Sequence, residues 1–127
     1  MEPLLVWVMQ RAEDFPKKHK FSVADRWIEA CLEALTALVE AAYVRDKRGL
    51  LMQSSRALVR ARVLARVATT LRSLSNEQLA YFERESVEIG KMIGGWLRAL
   101  AHRPADNSVT PAERSAPRGE VGQAPTG

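Results

Sequence analysis

The segment from Gly49 to Ser73 constrains the fold more than any other part of this sequence. It contains no aspartate or glutamate, and it contains five arginines: Arg56, Arg60, Arg62, Arg66 and Arg72. After Gly49 it has neither glycine nor proline. Apolar residues recur at spacings of three, four or seven, which predicts a long amphipathic helix. Because like charges one turn apart repel on a helix, an anionic surface must lie nearby on another helix, another subunit or a polyanionic partner.

Length and composition favour one helical domain. A chain of 127 residues can bury one core but not two. Apolar residues make up 46% and charged residues 27%, as in ordinary globular proteins, but only 6% are aromatic. The abundance of alanine, leucine and arginine suits helices better than sheets. Charge is uneven, because residues 22–43 carry four acids and one arginine, whereas residues 45–72 carry eight cations and one aspartate.

Four helices can be read from start and stop signals. The first runs from about Glu2 to Asp14 and ends before Pro16. Ser22 is the predicted N-cap of the second, which ends near Arg45, and Gly49 is predicted to help the turn into the third, from about Leu50 to Leu74. The fourth begins with a capping box at Ser75. Short links predict an antiparallel up-down four-helix bundle over residues 1–103. Residues 104–127, rich in proline and glycine, are predicted to form a disordered tail.

The third helix has more apolar surface than one bundle needs. One stripe, comprising Ala57, Ala61, Leu64, Ala68 and Leu71, is placed toward the bundle. A second stripe then gathers on the far side of the helix. We interpret it as a homo-oligomer interface, because a continuous exposed apolar stripe requires a partner. Its members are Met52, Val59, Val63 and Val67. The alternative is that this helix is central and buried, with arginine stems lying along its apolar surface.

The sequence offers no catalytic or cofactor site. Cys31 is the single cysteine and falls on an apolar stripe, where a buried inert thiol is expected. His19 and His102 are the two histidines, and neither lies in a cluster with metal-ligand spacing. Phosphate-binding glycine loops are missing as well. We therefore predict a protein that is not an enzyme and takes no metal or cofactor.

No targeting or membrane segment is recognisable in the sequence. The chain begins Met-Glu-Pro-Leu without a basic region before its short apolar run, unlike a signal peptide. No segment reaches the roughly 20 apolar residues that span a bilayer. A cytoplasmic location is the resulting expectation.

The cations predict contact with nucleic-acid phosphates. Arginine binds phosphate through two parallel hydrogen bonds, and Arg62 and Arg66 lie one turn apart, as do Arg56 and Arg60. Few aromatic residues are expected at the surface to stack on bases, so binding should be electrostatic, weakly selective and steeply salt-dependent. The alternative is that the arginines only pair with glutamates of the second helix. The predicted nucleic-acid residues are Arg56, Arg60, Arg62, Arg66, Arg72, Lys17, Lys18 and Lys20.

Five short patterns carry a family resemblance. They are Phe15-Pro-Lys-Lys-His-Lys-Phe21, Asp25-Arg26, Glu40-Ala-Ala-Tyr43, the Arg62/Arg66 pair, and Glu88-Ile-Gly-Lys-Met-Ile-Gly-Gly-Trp96-Leu97. Together they resemble the accessory variability determinant (Avd) proteins of diversity-generating retroelements, over roughly residues 6–103. The proline-rich tail is outside that resemblance.

The resemblance implies a fold, an assembly and a set of partners. Avd proteins are four-helix bundles that form barrel-shaped homopentamers with a basic exterior. They associate with the retroelement's reverse transcriptase, bind nucleic acid and support cDNA synthesis from the template-repeat RNA, which feeds mutagenic retrohoming. Arg62 and Arg66 match the paired arginines of that surface.

Two other functions remain open on the sequence. Four-helix bundle proteins encoded in intervening sequences of bacterial 23S ribosomal RNA genes share the bundle, although the Lys-Lys-His-Lys turn and the Gly-Gly-Trp ending favour the Avd side. The other alternative is a structural protein–protein adaptor that binds no nucleic acid.

Overall fold

Four long helices make up most of residues 1–102, which are the residues that the structure, a computed structural model, describes. The helices are α1 (Glu2–Glu13), α2 (Asp25–Ala41), α3 (Arg48–Thr70) and α4 (Asn76–Ala101). These described residues contain no strand, so the all-α prediction is confirmed. Residues 1–95 form one compact unit, and α4 continues beyond it into a second unit that begins at Trp96. The predicted tail 104–127 lies outside the described residues.

Neighbouring helices run antiparallel. Ala34 of α2 contacts Ser54 of α3, and the two helices are joined by the short link that follows Ala41. Arg66 of α3 contacts Glu83 of α4, which follows it after an equally short link. These contacts are those of an antiparallel bundle. No helix among residues 1–102 is both long enough and apolar enough to cross a membrane.

The link between α1 and α2 differs from the prediction. Ser22 does not cap a helix, because the chain is already helical from Lys17, directly after Pro16. A three-residue α-helical turn (Lys17–His19) leads into a π-helical segment (Lys20–Ala24), called here the π turn, which runs straight into α2. Pro16 sets the start of this helical run, since its fixed φ of −55° suits a position just before a helix.

Trp27 of α2 is the centre of the aromatic core. Its side chain is fully buried, and three rings surround it. Phe15 stacks on it with ring centroids 5.8 Å apart, while Phe82 of α4 and Trp7 of α1 meet it edge-on at 5.3 and 6.3 Å. Three- and four-residue spacing predicts a buried stripe on α2 that omits Trp27, and the buried face is shifted around the axis to include it. The predicted stripe consists of Ala24, Ile28, Cys31, Leu35, Leu38 and Ala42.

Small residues line the contact between α2 and α3. Each helix contributes four alanines that are 4% exposed or less, and we call the eight together the alanine seam. Small side chains let helix axes approach closely, and the Ser54 hydroxyl donates a 2.8 Å hydrogen bond across the contact to the carbonyl of Ala34. The seam consists of Ala30, Ala34, Ala37, Ala41, Ala57, Ala61, Ala65 and Ala68.

The bundle-facing stripe predicted for α3 is correct only in part. Ala57, Ala61 and Ala68 are fully buried, and Leu64 is half-buried against the core. Leu71, in contrast, is 40% exposed. It lies after the last helical residue, Thr70, so the helical periodicity no longer decides its direction.

Side-chain hydrogen bonds, rather than a glycine, satisfy the backbone groups at the helix ends. The Lys47 ammonium donates to the carbonyls of Ala41 (2.8 Å) and Val44 (2.7 Å), which satisfies the end of α2. Gly49 lies inside the first turn of α3, so its predicted role in the turn is wrong. The capping box before α4 is confirmed, because Ser75 N–H donates to Gln78 Oε1 at 2.9 Å and Gln78 N–H donates to Ser75 Oγ at 3.0 Å.

The end of α3 forms a Schellman motif around Arg72. Ser73 N–H donates to the carbonyl of Ala68 at 2.8 Å, and Arg72 N–H donates to that of Thr69 at 3.0 Å. This geometry places Arg72 in the left-handed region with a φ of 65°, which glycine adopts without steric cost.

We expect Arg72→Gly to stabilise the fold by about 0.5–1 kcal/mol, because glycine removes the Cβ strain at this φ. A calorimetric melt should show a midpoint several degrees higher, since about 1 kcal/mol moves a domain of this size by roughly 4–8 °C. As a control, Arg56→Gly in the interior of α3 should lower stability by about 1 kcal/mol. A lower melting temperature for Arg72→Gly would contradict the strain assigned to this residue.

Candidate nucleic-acid interface

The outward side of α3 carries four of the five predicted arginines. Arg56, Arg60 and Arg66 are exposed, and Arg62 is half-buried. We call these four residues the arginine face. α3 contains no acidic residue, and these four arginines form two rows, Arg56 with Arg60 and Arg62 with Arg66, because residues four apart lie about 40° from each other around a helix.

Two members of the arginine face are paired with carboxylates of neighbouring helices. Arg60 forms an ion pair with Glu33 of α2, and Arg66 contacts Glu83 of α4 at 3.0 Å. The guanidinium-bearing side chains in both pairs are about half exposed, at 52% and 51%. Exposed pairs of this kind contribute about 0–1 kcal/mol, so a phosphate can replace the carboxylate at little cost. The alternative that the arginines pair only with glutamates of the second helix agrees with the structure for Arg60 but not for Arg66, whose partner lies on α4.

Arg62 is the member of the face with unsatisfied hydrogen-bonding capacity. It forms no ion pair with any residue that the structure describes, and its Nε is buried without an acceptor. The side chain lies in a groove of about 310 Å³ between α3 and α4, beside Lys91, Gly90 and Ser55. Lys91 was not predicted as part of the site, because only the fold brings it next to Arg62. A guanidinium without an ion-pair partner leaves hydrogen-bonding capacity that a ligand or an ordered water can satisfy.

The second apolar stripe of α3 is exposed. Met52 is 37%, Val59 56%, Val63 45% and Val67 41% exposed, so α3 is not buried on all sides by its own chain. Val59 also lines the groove that contains Arg62. Large apolar side chains therefore alternate with cations along one side of α3. The assignment of this stripe to a subunit interface stays a prediction.

The remaining predicted cations lie on other elements. Lys17 and Lys18 are exposed in the helical turn before the π turn, Lys20 is half-buried at its first position, and Arg72 is exposed beyond the end of α3. None of these three lysines forms an ion pair within residues 1–102. Two aromatic side chains that sequence reasoning missed are strongly exposed, Phe21 at 78% and Tyr43 at 85%.

Catalytic and metal-binding chemistry finds little support in the described residues. Residues 1–102 contain no group of three or more histidine, cysteine, aspartate or glutamate side chains that could hold a metal ion. Burial raises the pKa of the Cys31 thiol to about 12, so the thiol is protonated at neutral pH and is a poor nucleophile. The side chains on α3 can bind a polyanion, but they do not form an acid–base or nucleophilic set.

These features define a class of protein: a helical bundle whose third helix presents arginines and apolar side chains together. The particular family follows from the comparison of the sequence with family models. The bAvd-like family model matches residues 1–100, and the chain belongs to this family. Searches among curated proteins and among solved structures return no match.

Membership in the family indicates a function at a coarse level. Avd-like proteins are accessory, non-catalytic proteins of diversity-generating retroelements, associated with the reverse transcriptase of the element. The arginine face, the lysines and the exposed stripe are predicted binding residues, and family membership by itself assigns no role to any of them.

Proposed function

We propose that this chain is the accessory factor that holds a reverse transcriptase and its template-repeat RNA together and thereby supports cDNA synthesis for mutagenic retrohoming. The observation that carries the proposal is Arg62, a guanidinium with a buried, unpaired Nε on the cationic side of α3, in a chain of the bAvd-like family. Arginine on a rigid helix is well suited to phosphate, because its planar fork donates two parallel hydrogen bonds.

Phosphate contacts rather than base contacts account for the proposed binding on α3. α3 contains no aromatic residue, so the surface around the arginine face offers charge but no aromatic ring on which bases can stack. Such a surface binds nucleic acid by releasing counterions, and its affinity falls steeply as salt rises. The two exposed ion pairs, Arg60–Glu33 and Arg66–Glu83, hold their guanidinium groups in place until a phosphate replaces the carboxylate.

The functional form in this proposal is a homo-oligomer, specifically a pentameric barrel. The exposed stripe of Met52, Val59, Val63 and Val67 provides the apolar contact, and the arginines form its rim. Interface centres favour apolar side chains with arginine at the edge, which fits this arrangement. A ring also repeats the arginine face once per subunit, which multiplies the contacts available to one RNA strand.

The test is charge reversal on the arginine face. We expect the double variant Arg62→Glu, Arg66→Glu to lose cDNA synthesis in the reconstituted system with the reverse transcriptase. Its RNA affinity should fall, and the slope of log affinity against log salt should become shallower by about 1.4 per engaged subunit, since each phosphate contact to a single strand contributes about 0.7. Filter binding over about 50–200 mM salt measures the slope.

A matched control reverses two arginines elsewhere. Arg26 and Arg84 are exposed and lie off the arginine face, so Arg26→Glu, Arg84→Glu changes net charge by the same amount. This control should keep cDNA synthesis and most of the RNA affinity. Full synthesis by the Arg62/Arg66 variant, with its helical content unchanged, would refute the proposed surface.

The adaptor alternative makes a different prediction from the same experiment. A protein–protein adaptor retains no RNA once the ionic strength reaches about 0.15 M, even when the wild-type chain is used. Loss of RNA at that salt with continued binding to the reverse transcriptase would favour the adaptor.

A further inference from the structure

Phe21 is an aromatic side chain that the bundle does not use. It is 78% exposed, and no aromatic ring or cation within residues 1–102 covers its ring. Phenylalanine side chains normally bury most of their surface in a core or an interface. The exposed ring therefore points to a ligand or partner at this position.

The π turn explains how the ring is held outward. Within Lys20–Ala24, Val23 and Ala24 are buried in the core while Phe21 is exposed. The wider π-helical turn accommodates one additional residue compared with an α-helix, and such turns are frequent at functional sites. The backbone of the turn continues directly into α2, so the ring stands on a rigid element rather than on a loop.

Three lysines lie within one helical turn of Phe21 along the chain. Lys17 and Lys18 precede Phe21 by four and three residues in one continuous helical run, which places them one turn away on the same side. Lys20 is next to Phe21 and lines the same groove. Exposed lysines beside an exposed ring match the two components of single-strand recognition, which are backbone charge and a surface for base stacking.

A groove beside Phe21 is large enough for one base and has hydrogen-bond acceptors in its lining. It measures about 280 Å³ and lies between α1 and the start of α2. Met9 and Ile28 line the groove with apolar side chains. Glu13 and Asp25 also line it, and their carboxylates can accept hydrogen bonds. A carboxylate accepts from an exocyclic amino group of a base, as in the recognition of cytosine N4.

We propose that this groove binds one unpaired nucleobase of a single-stranded nucleic acid, with the base stacked on Phe21 and the flanking phosphates on Lys17 and Lys18. The inference rests on the proposed function, because it assumes that the chain binds nucleic acid. It adds a second binding site, separate from the arginine face, that accepts single-stranded nucleic acid only. A duplex does not fit, since its bases are stacked on one another and their faces are not available. Bases with an amino group should bind better than uracil, because Glu13 and Asp25 are acceptors.

The test uses the full chain and a single-stranded oligouridylate with one 2-aminopurine at its centre, because uracils stack poorly, which leaves the probe bright, and because the probe is then the only base with an amino group. Binding should quench 2-aminopurine fluorescence, and Phe21→Leu should abolish the quenching and weaken binding by about tenfold or more, as expected for loss of one base–aromatic stack. The salt dependence should not change, because the substitution removes no charge. The blunt duplex of the same length should bind the variant and the wild type equally.

Tyr43→Leu is the matched control. Tyr43 is also an exposed aromatic residue, at 85%, but it follows the C-terminal end of α2, whereas Phe21 precedes the N-terminal end. It should leave both quenching and affinity unchanged. In a second variant, Lys17→Gln with Lys18→Gln, quenching should persist at low salt while the salt slope becomes shallower by about 1.4. This charge variant keeps the ring and therefore separates stacking from electrostatics.

Several results overturn the inference. Unchanged affinity and quenching in Phe21→Leu, while the Arg62/Arg66 reversal still weakens binding, refute the base site and leave the proposed function intact. Equal weakening of single strand and duplex refutes stacking on an unpaired base. Loss of reverse-transcriptase binding in Phe21→Leu with full oligonucleotide affinity makes the ring a protein contact. A wild-type chain that binds no oligonucleotide at low salt refutes both the inference and the proposed function.

Discussion

Replacing Trp27 with alanine is expected to lower the free energy of unfolding by about 3–5 kcal/mol, the usual cost of removing a buried large aromatic side chain. Trp27 is 0% exposed and contacts rings from α1, from α4 and from the link that contains Phe15. The cavity left behind therefore opens at the point where three elements meet. Domains of this size are typically stable by only about 5–15 kcal/mol, so the variant should be near its unfolding threshold.

Urea unfolding followed by circular dichroism measures this effect, and the midpoint should fall by at least about 1 M. Phe21→Leu is a suitable control, because that ring is exposed and its loss should change stability by less than about 0.5 kcal/mol. Trp27→Phe keeps an aromatic ring and removes the indole Nε1, a buried donor without an acceptor, so it should cost much less stability than Trp27→Ala. A loss below about 1 kcal/mol for Trp27→Ala would mean that another cluster organises the core.

The second large effect is expected for Val59→Asp combined with Val63→Asp, which should convert the proposed homo-oligomer into single chains. Each valine buried in an interface contributes about 1.5–3 kcal/mol, and a buried aspartate adds a desolvation cost. Since about 1.4 kcal/mol is a tenfold change in the dissociation constant, the double variant should dissociate at concentrations where the wild type is assembled. Light scattering of both proteins at the same micromolar concentration measures the masses.

Val6→Asp provides a control matched in exposure, because Val6 of α1 is 54% and Val59 of α3 is 56% exposed. The same substitution on α1 should leave the mass unchanged if the stripe on α3 is the interface. A wild-type chain that is monomeric at micromolar concentration would contradict the proposal, as would an unchanged mass for the α3 variant.

Helix positions were predictable from the sequence, because they depend on local signals. The proline after Phe15, the capping box at Ser75 and the three-four spacing of apolar residues each involve neighbours within one or two turns. Ser22 was misassigned because a cap residue in sequence looks the same whether a helix starts there or passes through. Val23 and Ala24 are buried within this helical run, which is a tertiary feature that local sequence signals do not show.

For the predicted binding residues, too, some features were predictable from local spacing and others depended on the fold. The exposure of Val59, Val63 and Val67 was predictable from helical periodicity once the opposite side of α3 was assigned to the core. Pairing of an arginine with a glutamate of the second helix was one of the alternatives and is seen for Arg60, whereas the partner of Arg66 was not predictable, because only the fold places Glu83 beside it. The stripe predicted for α2 omits Trp27 for a related reason, because it depends on the spacing of apolar residues and not on the size of their side chains.

The alanine seam has a mechanical consequence for the cations above it. The alanines of the seam are almost fully buried, and a close contact between small side chains leaves little room for one helix to slide or roll against the other. The backbone positions that carry the arginines of α3 therefore keep a fixed spacing, although the half-exposed side chains themselves can still change rotamer. A bound strand must bring its phosphates to that spacing, within the reach of the arginine side chains.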